Sequence, residues 1–280
     1  MQAKADLHLH SIYSDGVWSP RKLVEEAVKV GLKGLSITDH DTVDAYSDPC
    51  FDSCPADLHI LPGVELSCSY GGNDVHLLGY GFDPNHLLLK VWCEQYAAVR
   101  IKRIHFYFDR WESTFRFPNV FRKEFFENQP AALVTRLHLA KFLVEKGLAY
   151  HAQDAFARFL SSSVSPLPPA LAFPDVRQGI DLLHSCGAFA VLAHPHTLHK
   201  SLLKSSFLSL PFDGVELSHG GHHVGERWEK WAQSRQLYGT GGSDFHDPRR
   251  GHRLGSSWTC WEIYQILSEG KSSCVSSQLP

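Results

Sequence analysis

Residues 4–10, Lys-Ala-Asp-Leu-His-Leu-His, alternate strictly: Ala5, Leu7 and Leu9 fall on one side, Asp6, His8 and His10 on the other. A period of two predicts a β-strand. Its polar side is unusual, because it carries an acid and two imidazoles where a surface strand would carry lysines. Residues 11–16 read as a loop. Ser19-Pro20 then opens a helix, with Ser19 as its cap and Pro20 at the first helical position. Leu23, Val24, Ala27 and Val28 form its apolar stripe, and Gly31 ends it. Apolar runs at 34–38, 58–61 and 75–82 predict three more strands. The first runs into Asp39-His40-Asp41, the second ends near Pro62-Gly63-Val64-Glu65, and the third starts around His76.

The same alternation resumes later. Phe173-Pro174-Asp175 starts a helix to about Cys186, and 188–193 is an apolar strand ending at His194-Pro195. A strand at 214–217, a helix at 224–235 and a segment at 239–243 lead to Asp244-Phe245-His246. Strands alternating with helices argue for an α/β barrel-like fold. Residues 84–169 differ: helical patterns cover 87–111, 120–128, 131–146 and 153–159, with no clear strand. A Ser/Pro-rich stretch at 161–169 reads as a linker. The predicted organisation is a barrel formed by 1–83 and 170–280, with a helical insertion at 84–169 capping its mouth.

Composition narrows the function. With 280 residues and 43% apolar side chains, the chain can bury a large core. A net charge of -3 shows neither the basic excess of a general nucleic-acid binder nor an acidic tail. No apolar run reaches the roughly 18 residues of a membrane helix, and the polar start lacks the apolar centre of a signal peptide. A cytoplasmic location without a membrane or an obligate protein partner is the expectation. Seven cysteines, an odd number without framework spacing, read as reduced thiols. Histidine is the outlier, with 18 copies against one methionine.

Where the histidines fall matters more than their number. In a barrel, catalytic groups sit where strands run into loops. Those positions hold His8, His10, Asp15, His40, Glu65, His76, His194, Asp244 and His246. Two pairs, His8 with His10 and Asp244 with His246, are spaced two apart and so project from one side of a strand. Six imidazoles and three carboxylates cannot be packed together without compensating charge. Divalent metals provide it, and mixed nitrogen and oxygen donors suit zinc, manganese or iron rather than calcium, with magnesium a further option. Nine donors are too many for one ion, so two or three are needed. Metals a few ångströms apart can hold a hydroxide at neutral pH and neutralise phosphoryl oxygens, which favours phosphoester hydrolysis. Solitary histidines such as His59, His86, His105, His151, His184, His199 and His252 read as structural or surface residues.

The segments Asp6-Leu7-His8-Leu9-His10-Ser11, Ser14-Asp15-Gly16, Thr38-Asp39-His40-Asp41-Thr42, Gly63-Val64-Glu65, Ala193-His194-Pro195 and Gly242-Ser243-Asp244-Phe245-His246 resemble the polymerase and histidinol phosphatase (PHP) superfamily. The resemblance spans 5–82 and 173–255. It implies a distorted (β/α)7 barrel with a trinuclear site, typically manganese, at the nine positions above. It further implies that Glu65 bridges two metals and that Asp15, His40 and His246 serve a third. Glu65, Asp15 and His194 are the candidate catalytic residues. Stand-alone bacterial members act on 3′,5′-nucleoside bisphosphates or short 5′-phosphorylated RNA, so a metal-bound hydroxide attacking a nucleotide phosphate ester is the expected reaction. A histidinol-phosphate-type phosphatase and a non-catalytic scaffold are the alternatives.

Arg100 and Arg103 share one helical face of the insertion, and arginine matches phosphate geometry. Solvated helix charges are the competing reading. Arg136 and His138 resemble a Gly-Arg-Pro-His segment of the family, although Thr135 and Leu137 replace its Gly and Pro. Ser161-Ser162-Ser163 and Leu167 also depart from the family pattern. His222 is a candidate phosphate contact. His196 follows His194 by two and is left out of the metal set.

Overall fold

The computed structural model describes residues 3–128, 133–161, 163–204 and 206–270. Ala131 and Ala132, where the third insertion helix is predicted to start, lie outside the described residues, as do Ser162 and Cys274. The chain divides into two compact units, Met1–Cys93 with Phe173–Pro280, and Glu94–Ala172.

Strand β1 (Lys4–Leu9) is buried along all but its first residue. Helix α1 (Pro20–Lys29) begins as predicted, with the Ser19 side chain accepting from the Lys22 amide and Pro20 in the first turn. Leu23, Val24 and Ala27 face the core, whereas Val28 lies at the edge of the stripe and is exposed. Strands β2 (Gly34–Ile37) and β3 (His59–Ile60) follow, each parallel to its predecessor.

Then the structure departs from the expectation. Residues 63–70 are not the frayed end of β3 but a full strand, β4 (Gly63–Tyr70), paired antiparallel with β5 (Asn73–Tyr80) along its whole length. Gly71 and Gly72 form the two-residue turn, with φ of +55° and +76°. Two successive left-handed residues match the right-handed twist of a hairpin, and glycine adopts them without a Cβ clash.

Four helices come next: α2 (Leu87–Arg110), α3 (Val120–Glu127), α4 (Arg136–Glu145) and the short α5 (Ala152–Ala155). A wider helical turn continues α2 over Trp111–Phe115, and another continues α5 over Phe156–Leu160. The second unit is held by an aromatic core that includes Tyr107, Phe108, Trp111, Phe125, Phe142 and Phe159. The Trp111 indole donates to the Phe159 carbonyl at 3.3 Å, so its buried polar atom is satisfied.

The first unit resumes with α6 (Val176–Ser185), capped by Asp175, then β6 (Phe189–Leu192), β7 (Gly214–His219), β8 (His222–His223), α7 (Glu226–Arg235) and β9 (Tyr238–Gly242). Strand β10 (Thr259–Cys260) and helix α8 (Trp261–Glu269) finish it. One sheet runs β10-β1-β2-β3, the other β4-β5-β6-β7-β8, with β9 beside β7. Short bridges stitch them on two sides. The His10 amide donates to the Phe245 carbonyl and the Asp244 amide to the His8 carbonyl, while the Asp41 amide donates to the Glu65 carbonyl. The wall is therefore barrel-like and distorted: antiparallel pairs interrupt the parallel ladders, and the two sheets meet through single bridges.

One close approach fixes the β1–β9 seam. A Cβ on Gly242 would collide with the backbone nitrogen, Cα and Cβ of His8. Backbone cannot rotate away as a side-chain tip can. Gly242→Ala should therefore destabilise the chain by about 3 kcal/mol or prevent folding. Urea denaturation checks this, and an unchanged midpoint would contradict it.

Candidate metal centre

Three buried aspartates shape the site from behind. Asp6, on the polar side of β1, accepts from the amides of His8, Ser243 and Gly255 at 3.3, 2.9 and 2.7 Å, tying the first strand to the last segments. Burial pushes its carboxyl up to about 6, against the lowering effect of those bonds. Asp39 accepts from the Ser11 amide at 2.7 Å and from the hydroxyls of Ser11 and Ser14, which fixes the loop carrying Asp15. Asp41 accepts from the Ser67 amide at 2.7 Å.

Asp41, His194 and Asp244 have φ of +45°, +27° and +50°. Left-handed backbone at a non-glycine residue costs about 1–2 kcal/mol, and such residues cluster at functional sites. Here hydrogen bonds hold each one: Asp41 through the Glu65 carbonyl, Asp244 through the His8 carbonyl, and His194 through a carboxylate oxygen of Glu216 at 2.7 Å.

Glu65, on β4, is the hub. Its Oε2 lies 3.3 Å from His8 Nε2, 3.1 Å from His10 Nε2 and 3.2 Å from His40 Nδ1. Its Oε1 lies 2.7 Å from His76 Nδ1 and 2.9 Å from His194 Nε2. Asp244 Oδ1 stands 3.3 Å from His8 Nε2 and 3.2 Å from His10 Nε2. Asp15 faces His246 Nε2 at 3.2 Å, His10 Nδ1 at 3.6 Å and His40 Nε2 at 3.8 Å. All nine side chains singled out from strand ends thus meet in one connected cluster. Donor atoms group as His8-His10-Glu65-Asp244, as His10-Asp15-His40-His246, as His40-Glu65-His76 and as His8-Glu216-His219.

The donor set fits divalent ions. Donors sharing an ion at about 2.1 Å stand roughly 3.0–3.4 Å apart around it, and most separations above fall in or near that interval. His10 Nε2 is buried with two carboxylate oxygens nearby, yet makes no hydrogen bond of acceptable geometry. Its nitrogen and those oxygens are turned toward shared space rather than toward each other. Electrostatics agree. Burial raises the carboxyls of Asp15, Glu65 and Asp244, but the surrounding imidazoles outweigh it and hold all three well below the usual range. Burial lowers His10, but Asp244, Glu65 and Asp15 drive it up to about 10.

Two residues of the cluster were not anticipated from the sequence. Glu216, on β7, is fully buried against His8, and His219 Nε2 lies 3.2 Å from Asp244 Oδ2. A signal existed for Glu216: Gly214-Val215-Glu216-Leu217-Ser218 repeats Gly63-Val64-Glu65-Leu66-Ser67 letter for letter. His219 leads outward to a pocket of about 350 Å³ lined by His196, His219, His222, His223, Val224 and His252.

The arginine candidates and His138 lie in the helical unit. Arg100 and Arg103 are only 7% and 3% exposed, which removes the reading of solvated helix charges. The Arg136 guanidinium sits 5.9 Å from the Phe156 ring. His138 Nδ1 accepts from the Thr135 amide at 3.1 Å, closing the reciprocal cap of α4. The Thr135 that replaces the family glycine therefore starts a helix. Arg249 is paired with Asp247 at 2.7 Å. His184, read as structural, binds Asp213 at 2.8 Å.

The raised His10 makes metal-free stability depend on pH. Its folded pKa, about 10, exceeds the unfolded value near 6.5. The stabilisation it gives is complete below pH 6.5 and is lost as pH rises through 10. Chelator-stripped protein should lose stability between pH 6.5 and 10, and zinc-loaded protein should lose less because an ion replaces the proton. Paired urea titrations check this, and equal losses in both forms would contradict it.

Comparison with known proteins agrees with this geometry. The PHP domain model matches residues 6–153. The 5′-3′ exoribonuclease Rnm of Escherichia coli K12 is 32% identical over 94% of this chain and 96% of its own length. A 3′,5′-nucleoside bisphosphate phosphatase of Chromobacterium violaceum is 26% identical over 90% of each. A solved structure from Bifidobacterium adolescentis, assigned as a metal-dependent phosphoesterase, superposes with a TM-score of 0.78 at 28% identity, covering 94% of both chains. With its strand-end cluster assembled, the family model matching 6–153 and the relatives matching nearly end to end, the chain belongs to the PHP domain family.

Proposed function

We propose that this chain is a metal-dependent phosphoesterase that hydrolyses phosphate esters of nucleotides, either a 3′,5′-nucleoside bisphosphate or a short 5′-phosphorylated RNA. The observation that carries the reading is Glu65, one buried carboxylate with five imidazoles from four separate segments around its two oxygens. The named activities of the E. coli and C. violaceum relatives support the substrate class.

His8, His10, Asp15, His40, Glu65, His76, His194, Asp244 and His246 would hold the ions, which we take as three, manganese by preference. Bound divalent ions activate water and neutralise phosphoryl oxygens. The chain's own contribution is placement. Glu65 faces two groups of rings at once and so sets the spacing of the centre. Asp15 presents a carboxylate to His246, His40 and His10, and His194 closes the Oε1 side of Glu65. The imidazole-lined pocket beyond Asp244 offers donors, His222 among them, to an anionic part of the substrate. Arg100, Arg103, Arg136 and His138 are the proposed further contacts to substrate phosphate. We take the setting as cytoplasmic; among the described residues Cys50, Cys54, Cys68, Cys186 and Cys260 are free thiols. No described helix is long and apolar enough to cross a membrane.

The test is a metal-supplemented screen across adenosine 3′,5′-bisphosphate, short 5′-phosphorylated RNA and histidinol phosphate, with metal analysis of the purified chain. Turnover of a nucleotide substrate is expected, and turnover of histidinol phosphate alone would overturn the substrate class. Glu65→Gln should lower kcat/KM by roughly 10²-fold or more; full activity in that variant would refute the role of Glu65. Arg136→Ala should raise KM for the nucleotide by roughly tenfold or more, the scale of one charge-assisted hydrogen bond, with a smaller change in kcat. Steady-state kinetics separate the two, and an unchanged KM removes Arg136 from the substrate contacts.

A further inference from the structure

The two ring nitrogens of His8 face different partners. Nε2 looks toward Glu65 Oε2 and Asp244 Oδ1, each 3.3 Å away, while Nδ1 meets Glu216 Oε1 at 2.9 Å. The other oxygen of Glu216 accepts the His194 backbone N–H at 2.7 Å. His194 is one of the left-handed residues, with φ of +27° and ψ of 59°, and its Nε2 reaches Glu65 Oε1 at 2.9 Å. The parallel register of β6 and β7, Leu192 beside Val215, sets Glu216 next to the chain that turns at His194. Glu216 itself has no exposed surface. One buried carboxylate thus touches two of the rings around Glu65, one through a ring nitrogen and the other through its backbone.

We infer that Glu216 is a positioning residue of the metal centre, which fixes the Nδ1–H tautomer of His8 and holds the backbone turn of His194, so that Nε2 of both rings is left to face the ions. An ionised carboxylate only accepts, and a neutral imidazole carries one N–H. A proton drawn to Nδ1 by Glu216 leaves the Nε2 lone pair for a metal. Glutamine would reverse this. With its oxygen taken by the His194 amide, its NH₂ would face His8 Nδ1 and favour a proton on Nε2, blocking the ligating atom. The acid is therefore required at this position, and an amide of the same shape does not replace it. Both Glu216 oxygens are engaged at hydrogen-bond distance, which separates its task from that of Glu65, whose oxygens are ringed by imidazole nitrogens.

The inference rests on the cluster being a metal centre, and zinc alone is the probe. Chelator-stripped wild type and Glu216→Gln are titrated with zinc against a competing chelator, and zinc-loaded wild type with ¹⁵N-labelled histidine is observed by NMR. In wild type the His8 ring should carry its proton on Nδ1 and bind zinc through Nε2. Glu216→Gln should bind zinc roughly tenfold to a hundredfold more weakly. Wild-type zinc affinity in the variant, or a His8 that ligates through Nδ1, would overturn the inference and leave the metal reading intact. No zinc uptake by wild type would overturn both. The wild-type spectrum is decisive even if the variant does not fold.

Discussion

Everything in the barrel unit answers to one buried carboxylate, Glu65, which cannot sit in the interior without compensating positive charge. Taking such a charge out of water costs several kcal/mol unless it is met by partners of fixed geometry. The fold meets it with imidazoles from β1, from the end of β2, from β5 and from the end of β6. Those segments are far apart in sequence, so the sheets must be in register before the charge is balanced. The single bridges that join the sheets run through the same residues: the Glu65 carbonyl takes the Asp41 amide, and the His8 carbonyl takes the Asp244 amide. Backbone closure of the wall and assembly of the site use the same residues.

Much of this was legible in the sequence, for a physical reason. A strand with one face in the core and one in a polar cavity has to alternate, and 4–10 shows that alternation with ligand-type residues on the polar side. Paired positions two apart, His8 with His10 and Asp244 with His246, follow from the same geometry. Gly71-Gly72, the turn of the β4–β5 hairpin, was not read as one from the sequence. The run from Gly63 to Tyr70 concealed it, because a strand buried on both faces has no period-two signature.

Glu216 holds the third place of β7, as Glu65 does of β4, and supports ligands from behind. Only its five-residue echo of the Glu65 segment marks it. The arginines of the insertion were legible as a helical face, but not as buried: burial comes from tertiary packing, which a helical repeat in the sequence does not encode. Thr135, a departure from the family pattern, has a local explanation as the cap of α4, where a hydroxyl accepts the Leu137 amide at 3.1 Å.

The pairing of His76 and His194 on the same oxygen of Glu65 has a consequence for the chain as a polymer. The whole helical unit lies in sequence between those two histidines, so it is a loop whose ends are pinned at one atom. Closing a loop grows costlier only logarithmically, by about 0.6 kcal/mol for each doubling of its length. The barrel can therefore accept a large or a small segment at this point with little change in its own stability. The region between β5 and β6 is where this architecture can exchange one inserted segment for another while the nine-residue centre stays as it is.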